Sequence, residues 1–324
     1  MASMITMFLQ SAYSMIDGLF VSNLIGDTAL SAVNVAWPVI AVVTAIGTGV
    51  GCGGAVMMST KQGEGKNEES NIVRANVILA LLASSIVVTI LFLILLTPLL
   101  KLMGAEGELL RLSQIYGRVM LTGGVLQILS CGLTPLLRND NRAVSAMMIM
   151  VGGLFVNLGL DFVFMYVFHM GIGGAAGASL CAQLFTTLCC LMILCTKKTD
   201  PIRLSQFMIR KEYWKKIFKT AVSPFGISLT PSLLILYHNV ACLKFGGDLA
   251  VNAYALISST VGSYRVLLIG VAEGIQPLAS YAYGAHDFHA IRKIRNKAVI
   301  TAMSVSFFLF IFTIATARFY PAIY

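Results

Sequence analysis

The sequence predicts an all-α, polytopic membrane protein of about nine transmembrane helices, with a complete six-helix lobe and a partial second lobe related to it by a parallel repeat. Hydrophobic residues make up 57% of the 324-residue chain and charged residues 11%, whereas soluble domains carry about 25% charged residues. Apolar runs long enough to cross a bilayer recur from one end of the chain to the other. Landmarks of the first part also return in the second part at a fixed spacing.

The apolar runs do not alternate in hydropathy, so they predict helices rather than membrane strands. No cleavable signal peptide is expected, because Met1 leads straight into the first run without a basic segment. All seven cysteines lie in these runs without a CxxC spacing, which is typical of small core residues rather than disulfides or metal ligands. The runs occupy residues 2–24, 29–60, 73–99, 110–137, 143–168, 173–196, 217–244, 249–282 and 298–322.

Basic residues concentrate in the loops after the even-numbered runs and account for the net charge of +9. The loops after the odd-numbered runs contain only Lys101, Arg111 and Lys244. By the positive-inside rule, the even loops and the N-terminus face the cytoplasm and the protein lies in the plasma (inner) membrane, with the lipid bilayer rather than nucleic acid as its partner. The even-loop residues are Lys61, Lys66, Arg74, Arg138, Arg142, Lys197, Lys198, Arg203, Arg210, Lys211, Lys215, Lys216, Lys219, Arg292, Lys293, Arg295 and Lys297.

An offset of 221 residues carries the beginning of the chain onto its second part, for example Gly26 onto Gly247 and Gly63 onto Gly284. Six predicted helices separate the matched copies, and because six is even the two copies have the same orientation. We therefore expect three parts: a six-helix lobe at 1–196, a basic cytoplasmic linker at 197–216, and a partial lobe of three helices at 217–324. A full second copy would need three more helices, so a missing C-terminal segment is expected.

Two polar residues interrupt the fifth run, Asn157 and Asp161. Their spacing of four places them on one helix face. An ionised aspartate at mid-membrane costs about 3 kcal/mol, which favours an ion, proton or substrate site facing a cavity. The alternative is that Asp161 reaches the outer interface and serves as a capping residue. Asp17, a second acid within an apolar run, favours the first interpretation.

Other polar residues in the runs are candidates for a substrate cleft. Glu273 could provide an anionic spot for a cationic substrate, or it could pair with Arg265, eight residues away. Amide side chains could line a cleft or tie helices together, and Tyr13 suits a hydrophobic cleft. No metal motif or nucleophile constellation appears, so an enzyme is not expected. The amide candidates are Asn34, Gln127, Gln183 and Gln276.

Three motifs resemble those of the multidrug and toxic compound extrusion (MATE) transporters, especially their MepA-like bacterial branch. The segment 274–285 (GIQPLASYAYGA) resembles their helix-eight signature, and 17–22 (DGLFVS) resembles their first helix. The segment 174–179 (GAAGAS), followed by Gln183, resembles the start of their sixth helix. The resemblance implies two six-helix lobes around a central cleft and export of amphiphilic or cationic small molecules in exchange for sodium or protons. This sequence departs from that pattern by lacking the last three helices.

The resemblance also implies a cation site in the first lobe, which matches Asp17, Asn157, Asp161 and Ser179 here. Two carboxylates with neutral oxygen ligands suit a hard cation such as Na⁺, and so Asp17, Asn157 and Asp161 are possible Na⁺ ligands. The same two acids in a dry cavity could instead share a proton. For Ser179, a hydroxyl bonded back to its own helix is an equal alternative. Apart from the coupling ion, no cofactor is expected.

The function expected from these features is cation-coupled antiport of lipophilic or cationic drugs and toxic compounds by alternating access. One alternative is a lipid-linked oligosaccharide flippase of the same superfamily. Its cleft would carry several basic residues for pyrophosphate, whereas the in-membrane candidates here are Arg118 and Arg265. The other alternative is a non-transporting, truncated half-module that needs a partner chain.

Overall fold

The computed structural model describes residues 27–195 and 206–316, together with Leu9. Every regular element in these ranges is helical, which confirms the predicted all-α class. Five helices are long and apolar enough to cross a membrane, or six if α3 and α4, bent by 58° at Gly123, count as one. The elements are α1 (Asp27–Gly63), α2 (Asn67–Leu102), α3 (Gly107–Thr122), α4 (Gly124–Asn139), α5 (Ala143–Asp161), a π-helical segment (Phe162–Val167), α6 (Gly171–Cys195), α7 (Lys211–Gly284) and α8 (Phe288–Thr316).

The predicted runs two to six correspond to α1 through α6, with the fourth run divided into α3 and α4. The division falls at Gly123-Gly124, two residues that weaken a helix and permit a kink. The first predicted run, with Tyr13 and Asp17, lies outside the described residues.

Helix α7 folds back on itself. Helical backbone extends over Lys211–Gly284, whereas the sequence predicted two helices here, at 217–244 and 249–282. In a straight helix His238 and Tyr254 would lie about 24 Å apart along the axis, yet their rings stack with centroids 5.0 Å apart. The chain therefore reverses direction between these two residues, where the sequence placed a loop. We call 211–238 the first arm of α7 and 254–284 the second arm.

Both arms of α7 pack along α1, the central helix of the described bundle. A Cβ added at Gly53 would lie 3.0 Å from Ala221 Cα in the first arm. A Cβ added at Gly63 would lie 2.1 Å from the Tyr281 carbonyl oxygen in the second arm. On its other side α1 approaches α4 just as closely, because a Cβ at Gly51 would lie 2.3 Å from the Gly132 carbonyl oxygen. Helix α1 thus joins the first lobe to both arms of α7.

The internal repeat is visible in the backbone. Helices α1 and α7 end, and helices α2 and α8 begin, at positions that differ by the same 221 residues seen in the sequence. Gly65 and His286 hold equivalent places in the two connections and both have positive φ, 76° and 54°. The four backbone hydrogen bonds that close the first connection recur at the same offset in the second. The two connections therefore have one geometry.

The repeat-related helix ends also contact each other reciprocally. A Cβ at Gly63 would meet the Tyr281 carbonyl oxygen at 2.1 Å, and a Cβ at Gly284 would meet the Thr60 carbonyl oxygen at 2.0 Å. Gly63 is equivalent to Gly284, and Thr60 to Tyr281. Each helix end therefore contributes both the glycine of one contact and the carbonyl oxygen of the other. Reciprocal contacts of this kind are the mark of a two-fold relation between like surfaces.

The loops after the even-numbered runs gather at one end of the bundle, as the charge pattern predicted. Two arginines of these presumed loops are nevertheless buried inside helices: Arg74 in α2 is 1% exposed and Arg138 in α4 is 7% exposed. Each has a carboxylate partner, Asp140 for Arg74 and Glu273 for Arg138, which explains how a guanidinium tolerates burial. Three hydrogen bonds at this end of the bundle join segments that are far apart in the sequence. They run from Gln62 Nε2 to Asp140 Oδ1 (3.1 Å), from Arg142 Nη1 to the Ile193 carbonyl oxygen (3.4 Å) and from the Arg210 N–H to Asn76 Oδ1 (3.1 Å).

Candidate functional site

A cavity of about 410 Å³ lies among α1, α3, α4, α5, α6 and the second arm of α7. Its wall is mixed, with aromatic and methionine side chains beside hydroxyl and amide groups, and of the lining residues only Arg138 and Glu273 carry full charges. The apolar part includes Trp37, Ile40, Tyr116, Met120, Met150 and Leu154; the polar part includes Thr44, Thr48, Gln127, Ser130, Thr134, Asn157, Ser179, Gln183 and Thr186.

The predicted pair on α5 forms as the spacing of four required. The Asn157 side-chain amide donates a hydrogen bond to Asp161 Oδ2 over 2.9 Å. Asn157 lines the cavity, and Asp161 lies one turn further along with no exposed surface. An aspartate that reaches the outer interface would be exposed, so this arrangement does not fit the capping alternative.

The backbone changes immediately after Asp161. The α-helix ends there and continues as a π-helical segment over Phe162–Val167. Segments of π-helix are rare and occur frequently at functional sites, where they change the direction of the neighbouring side chains. The position of this segment marks the end of α5 as the irregular part of an otherwise regular helix.

Two of the candidate site residues belong to α6. Ser179 and Gln183 both line the cavity. No hydrogen bond from the Ser179 hydroxyl to its own helix occurs within the described hydrogen bonds, so the back-bonded alternative is not what the structure has. Gln183 Oε1 and Gln127 Oε1 are buried and accept no hydrogen bond from the part of the chain that the structure describes. These oxygens are available to a ligand that carries donors.

Glu273 lines the cavity, as the first of its two interpretations expected, and the alternative pairing with Arg265 is not found. Arg138 Nη1 donates to Glu273 Oε2, whereas Arg265 is exposed. Eight residues along a helix correspond to about 12 Å of rise, too far for Arg265 to reach Glu273 along the helix. Arg138 comes instead from α4, which faces the second arm of α7.

Two further candidates lie away from the cavity. Asn34 is exposed at the beginning of α1, one turn before Trp37 at the cavity edge. Gln276 is half-buried one turn after Glu273 and does not line the cavity. At neither position does a local pattern indicate which face of the helix meets the cavity. Tyr13 and Asp17 fall outside the described residues.

Sequence reasoning missed Arg138 and most of the hydroxyl groups in the cavity. Arg138 follows an apolar run directly and was assigned to a loop. Trp37, Thr44 and Thr48 recur at helical spacing on one face of α1, a pattern that could have identified them. The partner of Arg138 lies 135 residues away, and no local pattern encodes that contact.

Comparison with known proteins agrees with this architecture. A family model described as MatE matches residues 2–163 and 227–324. The multidrug export protein MepA of Staphylococcus saprophyticus is 24% identical over 86% of this chain, and that of Staphylococcus aureus strain NCTC 8325 is 25% identical over 94%. A solved structure of a multidrug resistance MATE family transporter of the MOP superfamily, in an outward-facing conformation, has a TM-score of 0.90 at 27% identity and covers 96% of this chain and 69% of its own.

The chain spans 62% and 66% of the length of the two MepA relatives. The match to the family model nevertheless extends over both repeat copies, and the resemblance inferred from the three sequence motifs is confirmed. On the strength of that match, together with the shared helical fold, the protein belongs to the MatE family.

Proposed function

We propose that this protein works as a cation-coupled antiporter that exports lipophilic or cationic drugs and toxic compounds by alternating access. It acts in the plasma membrane, with the N-terminus in the cytoplasm and Na⁺ or H⁺ as the coupling ion. The observation that carries the proposal is the buried Asn157–Asp161 pair, which joins a carboxylate without exposed surface to the wall of a drug-sized cavity. The names of the MepA relatives, multidrug export proteins, support the same function.

A carboxylate in such surroundings needs a cation or a proton. Burial disfavours the charged form of Asp161, and a bound proton or a hard cation offsets that cost. Asp161, Asn157 and Ser179 supply carboxylate, amide and hydroxyl oxygens, the donor types that Na⁺ prefers. Asp17 is the expected second acid of this site. Ion binding at Asp161 acts on α5 and, through Asn157, on the cavity wall.

The rest of the cavity suits amphiphilic molecules of varied shape. A volume of about 410 Å³ lies in the range of small-molecule sites. Trp37, Tyr116 and Met120 provide adaptable apolar surface, while Gln127 and Gln183 offer acceptor oxygens. A flippase for a pyrophosphate lipid has less support, because the one basic residue in the described lining, Arg138, is already paired with Glu273.

Substitution of Asp161 tests the coupling directly. Cells that carry Asp161→Asn should accumulate ethidium to the level of cells without the protein, because the neutral amide cannot exchange a cation or a proton. Asn157→Ala should also reduce efflux. Asp17→Asn combined with Asp161→Asn should be no worse than either single variant, because acids that share one ion act as a unit.

Glu108→Gln is the matched control, since Glu108 is an exposed carboxylate paired with Arg111 and far from the cavity wall. It should leave efflux unchanged. Membrane levels of every variant are measured alongside. If the Asp161→Asn variant reaches normal membrane levels and exports ethidium at the wild-type rate, the proposed coupling site is contradicted.

A further inference from the structure

The cavity wall contains one positive and one negative side chain, and they neutralise each other. Arg138 comes from the last turn of α4 and Glu273 from the second arm of α7. Their side chains are 8% and 20% exposed, and Arg138 Nη1 donates to Glu273 Oε2. In this conformation the charged groups of the described lining therefore sum to zero.

The pair also connects two parts of the bundle. Helix α4 belongs to the first lobe, and the second arm of α7 belongs to the repeat that follows the linker. The two helices share few other contacts. Separation of Arg138 from Glu273 would therefore remove the main link between α4 and α7.

We propose that Arg138 occupies, from within the protein, the place that the cationic group of a transported substrate takes at Glu273. This inference rests on the proposed function, because it names the residues that select charge in the same cavity. A substrate cation displaces Arg138 from Glu273 and thereby releases α4 from the second arm of α7. Substrate binding and the local separation of α4 from the second arm of α7 are then one event.

The physical basis is competition for one carboxylate. A charge-assisted hydrogen bond to a guanidinium is strong, so an incoming cation must replace it with an interaction of similar strength. Wild-type affinity for cations is lowered by this competition, which favours substrates that combine a positive charge with a large apolar body. Loss of Arg138 leaves Glu273 available, and loss of Glu273 leaves Arg138 available to an anion.

Equilibrium binding of dyes to the purified, full-length protein in lipid nanodiscs tests the inference. Ethidium serves as the cation and Nile red as the neutral amphiphile, and all variants are compared at the same pH. Arg138→Gln should bind ethidium at least about tenfold more tightly than wild type, which is the lower end of the coupling measured for close charge pairs in protein complexes. Glu273→Gln should bind ethidium more weakly, and Nile red should bind all variants alike.

Arg118→Gln is the matched control, because it removes the same charge from an exposed arginine of α3 that does not line the cavity. Equal ethidium affinity in Arg138→Gln and Arg118→Gln would overturn the inference while leaving the proposed function intact. If folded wild-type protein binds Nile red but no cationic dye, the proposed substrate class falls, and the inference falls with it.

A second measurement does not depend on the stability of Arg138→Gln. Val144, at the start of α5 just after α4, and Phe288, at the start of α8 just after α7, are both exposed and can carry fluorescent labels. The labels are introduced as unnatural amino acids because the chain has seven native cysteines. Saturating ethidium should lengthen the distance between them in the wild-type protein. Ethidium binding with no change in this distance would overturn the proposed displacement.

Discussion

Single polar residues in the described helices fall into two kinds, those that support the fold and those that line the cavity. Arg74 and Asp140 are the first kind, with both side chains 1% exposed. Gln62 donates a hydrogen bond to Asp140 and Asn71 accepts one from Arg74, so that α1, α2 and the end of α4 are held together. Asn157 is the second kind, because it lines the cavity and donates a hydrogen bond to Asp161.

Asp140→Asn tests whether the buried Arg74–Asp140 pair supports the fold. It leaves the buried guanidinium of Arg74 without its carboxylate, and breaking a buried pair in this way costs roughly 3–5 kcal/mol of stability. We expect the Tm of the purified protein in detergent to fall by several degrees, measured by the fluorescence of a thiol-reactive dye. Glu108→Gln, which breaks an exposed pair, should leave Tm unchanged. Equal Tm values for Asp140→Asn and wild type would show that the other partners of Arg74 suffice.

The limits of sequence reasoning are clearest at this scale. The pairing of Asn157 with Asp161 could be predicted because helical spacing is a local property. The partner of Glu273 could not, because it depends on which helices face each other after folding. The same limit applies to Asn34 and Gln276, whose chemistry suited a cleft but whose positions on the helices did not.

Helices and their connections repeat more faithfully than individual side chains. The offset of 221 residues reproduces helix ends, loop hydrogen bonds and a positive φ, although His286 stands where the first copy has Gly65. Arg74 is buried, whereas its counterpart Arg295 is exposed. Backbone geometry is fixed by glycines and helix ends that the sequence displays, while side-chain environments have diverged. The loop predicted at 245–248 lies within the segment where α7 reverses direction, between His238 and Tyr254.

The reciprocal contact between α1 and α7 is open to a direct test. Gly63→Ala and Gly284→Ala each introduce a methyl group about 2 Å from a backbone oxygen of the facing helix, so the helices must separate. Overpacking of this kind costs about 1–3 kcal/mol, and we expect a lower Tm in both variants. Gly226→Ala and Gly262→Ala are matched controls in α7, because a Cβ there meets no atom within 4 Å, and they should be neutral or stabilising. A lower Tm in only one of the variants Gly63→Ala and Gly284→Ala would contradict the reciprocal contact between the two helix ends.

At the scale of the whole molecule, the charge pattern predicted which loops lie together. Contacts between Gln62 and Asp140 and between Arg142 and Ile193 place the even loops at one end, far apart in sequence but adjacent in space. The packing of both arms of α7 along α1 was not predictable from that pattern, since it depends on small residues such as Gly53 and Gly63 at the contacts. The repeat predicted the orientation of the two copies but not the contact between them.

The proposed orientation predicts that this end faces the cytoplasm. Cysteines introduced at Lys66, Asn141 and Asp287, in a background without the native cysteines, should react with a membrane-impermeant maleimide only after the cells are opened. A cysteine at Met103, in the connection at the other end of α2, should react in intact cells. The reverse pattern would contradict the proposed topology.

The central claim is that a buried carboxylate on α5 couples an ion gradient to drug movement through the adjoining cavity. Proteoliposomes that contain the purified protein, preloaded with ethidium, measure this coupling most directly when an inward gradient of Na⁺ or of protons is imposed. One of the two gradients should accelerate ethidium exit, the same ion should enter as ethidium leaves, and Asp161→Asn should show neither movement. Ethidium exit at the same rate with either gradient and without any gradient, and unchanged in Asp161→Asn, would contradict the claim.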